Sequence, residues 1–174
     1  QKNDPILIGF SNQLSGSQSA LGVDSMYGAL LAVNEINENG GINGRQVKLI
    51  IRDDKGDPSL AVEIDNELKD LGCVAIIGHG TSSMASATKA NADLNDILLL
   101  SPTISSSLLD GLDDNFFRVM PSNSTQGTAL AEFIFEHTAG ETIVAYEMEN
   151  IAYTKTVIDS FRLKMVVCQS SLYI

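Results

Sequence analysis

Short apolar runs alternate with stretches that carry apolar side chains at helical spacing, and this alternation constrains the fold more than any other feature. Ile6-Leu7-Ile8-Gly9-Phe10 is almost unbroken in hydrophobicity, as expected for a strand covered on both faces of a parallel sheet. Met26, Ala29, Leu30, Val33 and Ile36 then recur at helical intervals, and Gly40-Gly41 supplies the left-handed stop. The turn Asn43-Gly44 leads into a second strand, Val47 to Arg52. Asp57-Pro58 is a helix start, because Asp can cap free N–H groups and Pro at the first helical position has no N–H to lose. Leu60, Ile64, Leu68 and Leu71 form the expected buried stripe of that helix, and Gly72 ends it.

The pattern repeats. Val74 to Ile77 is a third predicted strand, followed by a helix capped by Ser82 or Ser83 that runs to about Leu94, and Ile97 to Leu100 is a fourth. A fifth strand, Phe116 to Met120, precedes a helix capped near Ser124, with Ala129, Leu130, Phe133 and Ile134 on one face until Gly140. A strand from Thr142 to Tyr146, a short helix from about Thr154 and a strand from Met165 to Cys168 complete the reading. The predicted class is α/β, a doubly wound and mostly parallel sheet. Right-handed crossovers put helices on both its faces, and ligands in such sheets bind outside the carboxyl ends of the strands.

Composition sets the outer limits. A chain of 174 residues with 44% hydrophobic content can build a substantial core. Eleven Lys and Arg against 22 Asp and Glu leave a formal charge of −11, a field that repels nucleic acid and polyphosphates. No apolar run approaches the roughly 20 residues of a membrane-spanning helix, so direct membrane insertion is not expected. The start Gln1-Lys2-Asn3-Asp4 does not read as a secretory signal, which predicts a chain that is soluble or already processed. Cys73 and Cys168 lack metal-site spacing and are expected to be free, buried apolar fillers.

The loops after the strands share one chemistry. Ser11, Ser15, Ser17 and Ser19 follow the first strand, and Thr81, Ser82 and Ser83 follow the third. Ser101, Thr103, Ser105, Ser106 and Ser107 follow the fourth. No Lys or Arg falls within 9–22, 78–88 or 99–115. A ligand there meets hydroxyls, backbone N–H groups and helix dipoles. A helix N-terminus carries about half a positive charge, which suits a carboxylate better than a pyrophosphate.

Other chemistries fit less well. Gly78-His79-Gly80 invites a dinucleotide reading, but Ser83 stands where the third glycine belongs, and no acidic residue ends the following strand. Neither a P-loop nor a Gly-x-Ser-x-Gly elbow is present, and His79 is expected to be structural or to support a neighbouring contact. Asp53-Asp54-Lys55-Gly56-Asp57 lacks the ligand spacing of a calcium loop and reads as a strand end plus a helix cap. These residues predict no cofactor and no catalytic set. A nucleotide-cofactor-dependent α/β enzyme using the turn at Gly78, and a ligand-free regulatory or oligomerisation domain, are the competing readings.

A family resemblance narrows the choice. Ile6-Leu7-Ile8-Gly9 with Leu14-Ser15-Gly16, Gly28-Ala29, Ala32-Val33-Asn34-Glu35-Ile36-Asn37 and Gly40-Gly41-Ile42-Asn43-Gly44-Arg45 resembles the amino-terminal lobe of type I periplasmic binding proteins. Asp53-Asp54, Asp57-Pro58, Ile77-Gly78, Ser82-Ser83, Ser101-Pro102 and Phe117-Arg118 continue the match in order, over about residues 5–161. The branch most similar is the branched-chain amino acid (Leu/Ile/Val) binding proteins of ABC importers.

The resemblance implies a two-lobed, hinge-closing periplasmic or extracellular receptor. It would trap a small amino acid or related carboxylate in an interlobe cleft without chemistry, and would work with a membrane permease. A ligand-sensing domain of a signalling receptor is the alternative within the same fold. Ser82 and Ser105 fall where the ligand carboxylate is held, and the Thr103 carbonyl falls where the ligand ammonium donates. Gly80 and Thr81 would lie against the ligand, Leu21 takes the place of an aromatic wall, and Tyr153 aligns with a cleft tyrosine of the second lobe. The cysteine pair of some relatives is absent. Residues 1–119 are expected to form the first lobe, lacking its returning strands, and 120–174 the start of an incomplete second lobe. By that comparison the chain reads as truncated, with a half-built site.

Overall fold

The computed structural model describes residues 4–138 and 150–170. They fall into two compact units, Gln1–Ile104 with Asp113–Val119 and Ser105–Leu112 with Met120–Ile174.

In the first unit the elements run β1 (Ile6–Asn12), α1 (Ser19–Glu38), β2 (Val47–Asp53), α2 (Pro58–Asp70), β3 (Ala75–Gly78), α3 (Ser82–Asn95), β4 (Leu98–Ser101) and β5 (Phe116–Arg118). All strand pairs are parallel and the order is β2-β1-β3-β4-β5. The chain steps outward from β1 to β2, then crosses back over β1 to reach β3. With right-handed crossovers that reversal puts α1 on one face and α2 and α3 on the other. It also opens a crevice at the carboxyl ends of β1 and β3, where the strand order switches. Phe10, Leu68, Ile76, Leu99 and Ile104 are fully buried at the centre of this unit.

Local signals explain most of these elements. Asp57 caps α2 as its sequence predicts, its carboxylate accepting from the N–H groups of Ser59 at 2.8 Å and Leu60 at 3.2 Å. The buried stripe of α2 is Ala61, Ile64, Asp65 and Leu68. Leu71, expected to extend the stripe, is 48% exposed because it is the C-cap, where the chain has begun to leave the sheet. Neither Ser82 nor Ser83 caps α3. Thr81 holds the cap position, without a side-chain bond, and Ser82 lies buried as the first helical residue.

The second unit contains α4 (Asn123–His137) and α5 (Ile151–Ser170), packed against each other. Ser122 caps α4, accepting from the Ser124 N–H at 3.2 Å. The predicted apolar face of α4 is not its packed face. Leu130 and Phe133 are exposed, and Asn123, Gly127 and Ala131 are buried instead. Small residues one turn apart let the helices approach closely: a Cβ on Gly127 would lie 2.3 Å from the Val157 carbonyl oxygen.

The Met165 to Cys168 segment, predicted as a strand, is helical and continues α5. Val166-Val167-Cys168 is β-prone, but Ile158 and Phe161 anchor the helix before it, and tertiary packing outweighs propensity. The short helix expected from Thr154 is therefore 20 residues long. Cys73 is free and buried as expected, whereas Cys168 is free but only half-buried. The strand predicted from Thr142 to Tyr146, and the helix stop at Gly140, lie outside the described residues.

Candidate functional site

A small hollow, with free space for about one water molecule, lies at the carboxyl ends of β1 and β3. The β1 end contributes Asn12 and Gln13, and the start of α1 contributes Leu21, with Gln18 just before it. Asp54 and Gly56 come from the turn after β2. Gly80, Thr81 and Met84 come from the β3 end and the first turn of α3. The topology thus delivers residues from three strand ends to one place.

Close backbone packing shapes the walls. A Cβ on Gly22 would sit 2.0 Å from the Gln13 carbonyl oxygen, so only glycine lets α1 lie against the end of β1. Gly80 has the same tight relation to Asn12, whose Oδ1 would be 2.4 Å from an added Cβ. Thr103 donates its hydroxyl to the Gly80 carbonyl at 2.8 Å and reaches the His79 carbonyl at 3.5 Å, pinning the β3 loop to the β4 loop. Ser101 Oγ also donates to the His79 carbonyl, at 3.1 Å, and accepts from the N–H groups of Thr103 and Ile104.

Beneath the hollow lies a buried charge cluster. His79 is fully buried, with Nδ1 2.8 Å from Asp54 Oδ2 and Nε2 3.2 Å from Asp65 Oδ2. The other Asp54 oxygen accepts from the Gly56 N–H at 2.9 Å. Burial alone would push the imidazole pKa down. Hydrogen bonds to Asp54 and Asp65, reinforced by their charges, overcome that and raise it from 6.5 to about 9. His79 is therefore a cation near neutral pH. Both ring nitrogens are taken by carboxylates, so neither is open to accept a proton from a serine hydroxyl.

Asp53 closes the neighbouring turn, accepting from the N–H groups of Leu14 at 2.8 Å and Lys55 at 2.9 Å and from the Ser15 hydroxyl at 2.6 Å. Its pKa is lowered: burial pushes it up, but the Ser15 hydroxyl and these N–H groups prevail. Asp53 and Asp54 thus spend their lone pairs on the protein itself, which agrees with reading Asp53 to Asp57 as strand end and cap.

The structure brings Leu21, Gly80 and Thr81 to the hollow and places Ser82, only 3% exposed, immediately after Thr81. Thr103 joins them through Gly80. Ser105 and Tyr153 belong to the second unit, where one residue ties them together. The Asn123 N–H donates to the Ser105 carbonyl at 2.8 Å, and Asn123 Nδ2 donates to the Tyr153 carbonyl at 3.0 Å.

Sequence reasoning missed Asn12, Gln18 and the Asp54–His79–Asp65 cluster. Asp65 carried a readable signal, because it shares helical spacing with Ala61, Ile64 and Leu68 and so had to face the core as a charge in need of a partner. Asn12 carried none.

The profile of a family described as periplasmic binding protein matches residues 5–165. The chain is 31% identical over 134 residues to Leu/Ile/Val-binding protein homolog 1 of Brucella abortus (strain 2308), covering 76% of this chain and 36% of that protein. It is 28% identical over 141 residues to the leucine-, isoleucine-, valine-, threonine- and alanine-binding protein of Pseudomonas aeruginosa, covering 80% and 38%. Among solved structures, the branched-chain amino acid transporter substrate binding protein LivJ of Streptococcus pneumoniae, in complex with isoleucine, superposes with a TM-score of 0.81 at 32% identity, covering 92% of this chain and 46% of that one. The leucine binding protein LivK of Thermotoga maritima shares the fold with a TM-score of 0.82 at 22% identity, covering 93% and 46%. The chain spans less than half the length of these relatives.

Proposed function

The chain belongs to the periplasmic binding protein family, and from that premise we propose that it binds a small amino acid or related carboxylate, chemically unchanged, for an ABC importer. The protein works outside the cytoplasmic membrane, in the periplasm or extracellular space, and delivers its ligand to a membrane permease. The observation that carries this reading is the hollow at the β1–β3 switch point, lined by Gly80, Thr81 and Leu21 and free of Lys and Arg side chains. Ser82 and Ser105 hold the ligand carboxylate, aided by the N-terminus of α3, and the Thr103 carbonyl accepts from the ligand ammonium. Tyr153 closes against the ligand from the second lobe, which we take to begin at residue 120 after a first lobe of 1–119. Support comes from the relatives: one is named for five amino acids, and another was solved with isoleucine bound.

Ser82 gives the test. Its hydroxyl makes a charge-assisted bond to a carboxylate in this reading, so Ser82→Ala in the full-length protein is expected to weaken amino acid binding by about 1–3 kcal/mol. Isothermal titration calorimetry reads this as a rise in Kd with unchanged stoichiometry. An unchanged Kd removes Ser82 from the ligand's coordination.

A further inference from the structure

The hydroxyls after β4 differ in what their protons do. Ser101 Oγ donates to the His79 carbonyl at 3.1 Å and accepts from the N–H groups of Thr103 and Ile104, so its bonding capacity is spent within the protein. Thr103 Oγ1 donates to the Gly80 carbonyl at 2.8 Å, with a longer reach to the His79 carbonyl at 3.5 Å. A hydroxyl has one proton to give. With that proton on Gly80, the Thr103 side chain does not also donate to a ligand carboxylate.

Its effect follows from the geometry of the peptide unit. The bond from Gly80 to Thr81 is planar and trans, so its carbonyl and its N–H point in opposite directions. Holding the Gly80 carbonyl towards the end of β4 therefore fixes the direction of the Thr81 N–H. Thr81 is the N-cap of α3 and makes no side-chain capping bond, so this helix lacks the internal brace that usually orients a first turn. Thr103 supplies a brace from outside. Gly80 is also confined by Asn12, whose Oδ1 would lie 2.4 Å from an added Cβ, and His79 before it is held by Asp54 and Asp65.

We propose that the Thr103 hydroxyl is a positioning group for the carboxylate-binding start of α3. It stands in for the side-chain cap and, through Gly80, sets where Ser82 and the first N–H groups of the helix point. This rests on the amino-acid-binding reading above and adds a second role for Thr103, whose carbonyl that reading gives to the ligand ammonium.

Isothermal titration calorimetry on the full-length protein tests it, with the tightest binder among L-leucine, L-isoleucine, L-valine, L-threonine and L-alanine as the probe. Thr103→Val keeps the branched shape, removes the hydroxyl and is expected to raise Kd about five- to tenfold. Thr103→Ser keeps the hydroxyl and is expected to bind within about twofold of the parent. In a Ser82→Ala background, Thr103→Val is expected to add about twofold or less, because the group it orients is gone. Equal factors in the two backgrounds mark a merely structural residue and overturn the proposal. So does an unchanged Kd in folded Thr103→Val, or a Thr103→Ser protein as weak as Thr103→Val. Should Thr103→Val fail to fold, Thr103→Ala takes its place in the same comparison, with the same expected and contradicting results. No binding by any of the five amino acids, or an unchanged Kd in Ser82→Ala, overturns the underlying reading and the proposal with it.

Discussion

His79→Ala is expected to cost about 3–5 kcal/mol of folding stability, because it strands two buried carboxylates that share one cation. Asp54 and Asp65 are each almost wholly buried, and the imidazole is the group that bridges them. Against a total stability of about 5–15 kcal/mol for a domain, the loss is large enough to lower the melting temperature by many degrees. Removing all three charges at once, with Asp54→Asn, Asp65→Asn and His79→Gln, is expected to cost less than His79→Ala alone, since no ion is then left unpaired. Chemical denaturation of the variants checks both statements. Equal stability of His79→Ala and the parent protein contradicts them.

The same cluster sets a pH dependence. The His79 pKa is raised in the folded state, from 6.5 to about 9, so the folded protein holds this proton more tightly than the unfolded chain. The stabilisation is fully present below pH 6.5 and is lost as pH rises towards 9, amounting to about 3 kcal/mol over that window. Denaturant midpoints measured from pH 6 to pH 9.5 are expected to fall in the parent protein and to fall much less in His79→Ala. A parent midpoint that stays level across this range contradicts the charged imidazole.

The second large effect is at Gly22. An added Cβ would lie 2.0 Å from the Gln13 carbonyl oxygen, a backbone atom held by the end of β1 and unable to rotate away. Gly22→Val must therefore push α1 away from the carboxyl end of β1, with a cost of about 3 kcal/mol or more, at the upper end for overpacked sites. Leu21 moves with the helix, so the hollow changes shape together with the loss of stability. Ligand affinity and denaturation midpoint are expected to fall together in this variant, whereas Ser82→Ala is expected to lower affinity with little change in midpoint. A Gly22→Val protein with the parent's midpoint contradicts the close packing.

Most of the first unit was legible because its signals are local. Unbroken apolar runs, the Asp57-Pro58 cap and the glycine stops each report on a few neighbouring residues, and β1 to β5 with α1 to α3 followed from them. The reading failed where a distant partner decides. Periodicity in α4 pointed to Leu130 and Phe133, but the packed face is the small-residue face of Asn123, Gly127 and Ala131, chosen by the approach of α5. Val166-Val167-Cys168 looked like a strand because a three-residue run does not carry the weight of Ile158 and Phe161 further back along the same helix.

Site residues divide the same way. Gly80, Thr81 and Leu21 came from a resemblance carried by loop sequence, and they meet at the hollow. The partners of His79 lie 25 and 14 residues away in sequence, one at a strand end and one on a helix, so only the fold brings them together. Asn12 is a strand-end amide like many others until its burial is seen.

The central claim is that the hollow at the β1–β3 switch point serves amino acid binding, and a thermal-shift titration of the full-length protein tests it most directly. At a ligand concentration about 100 times its Kd, binding adds about 2.7 kcal/mol to the folded state, a shift of several degrees. The expected result is a saturable rise in melting temperature with at least one L-amino acid and none with adenine or nicotinamide nucleotides. A flat response to every amino acid, or a saturable rise with a nucleotide, would contradict the account.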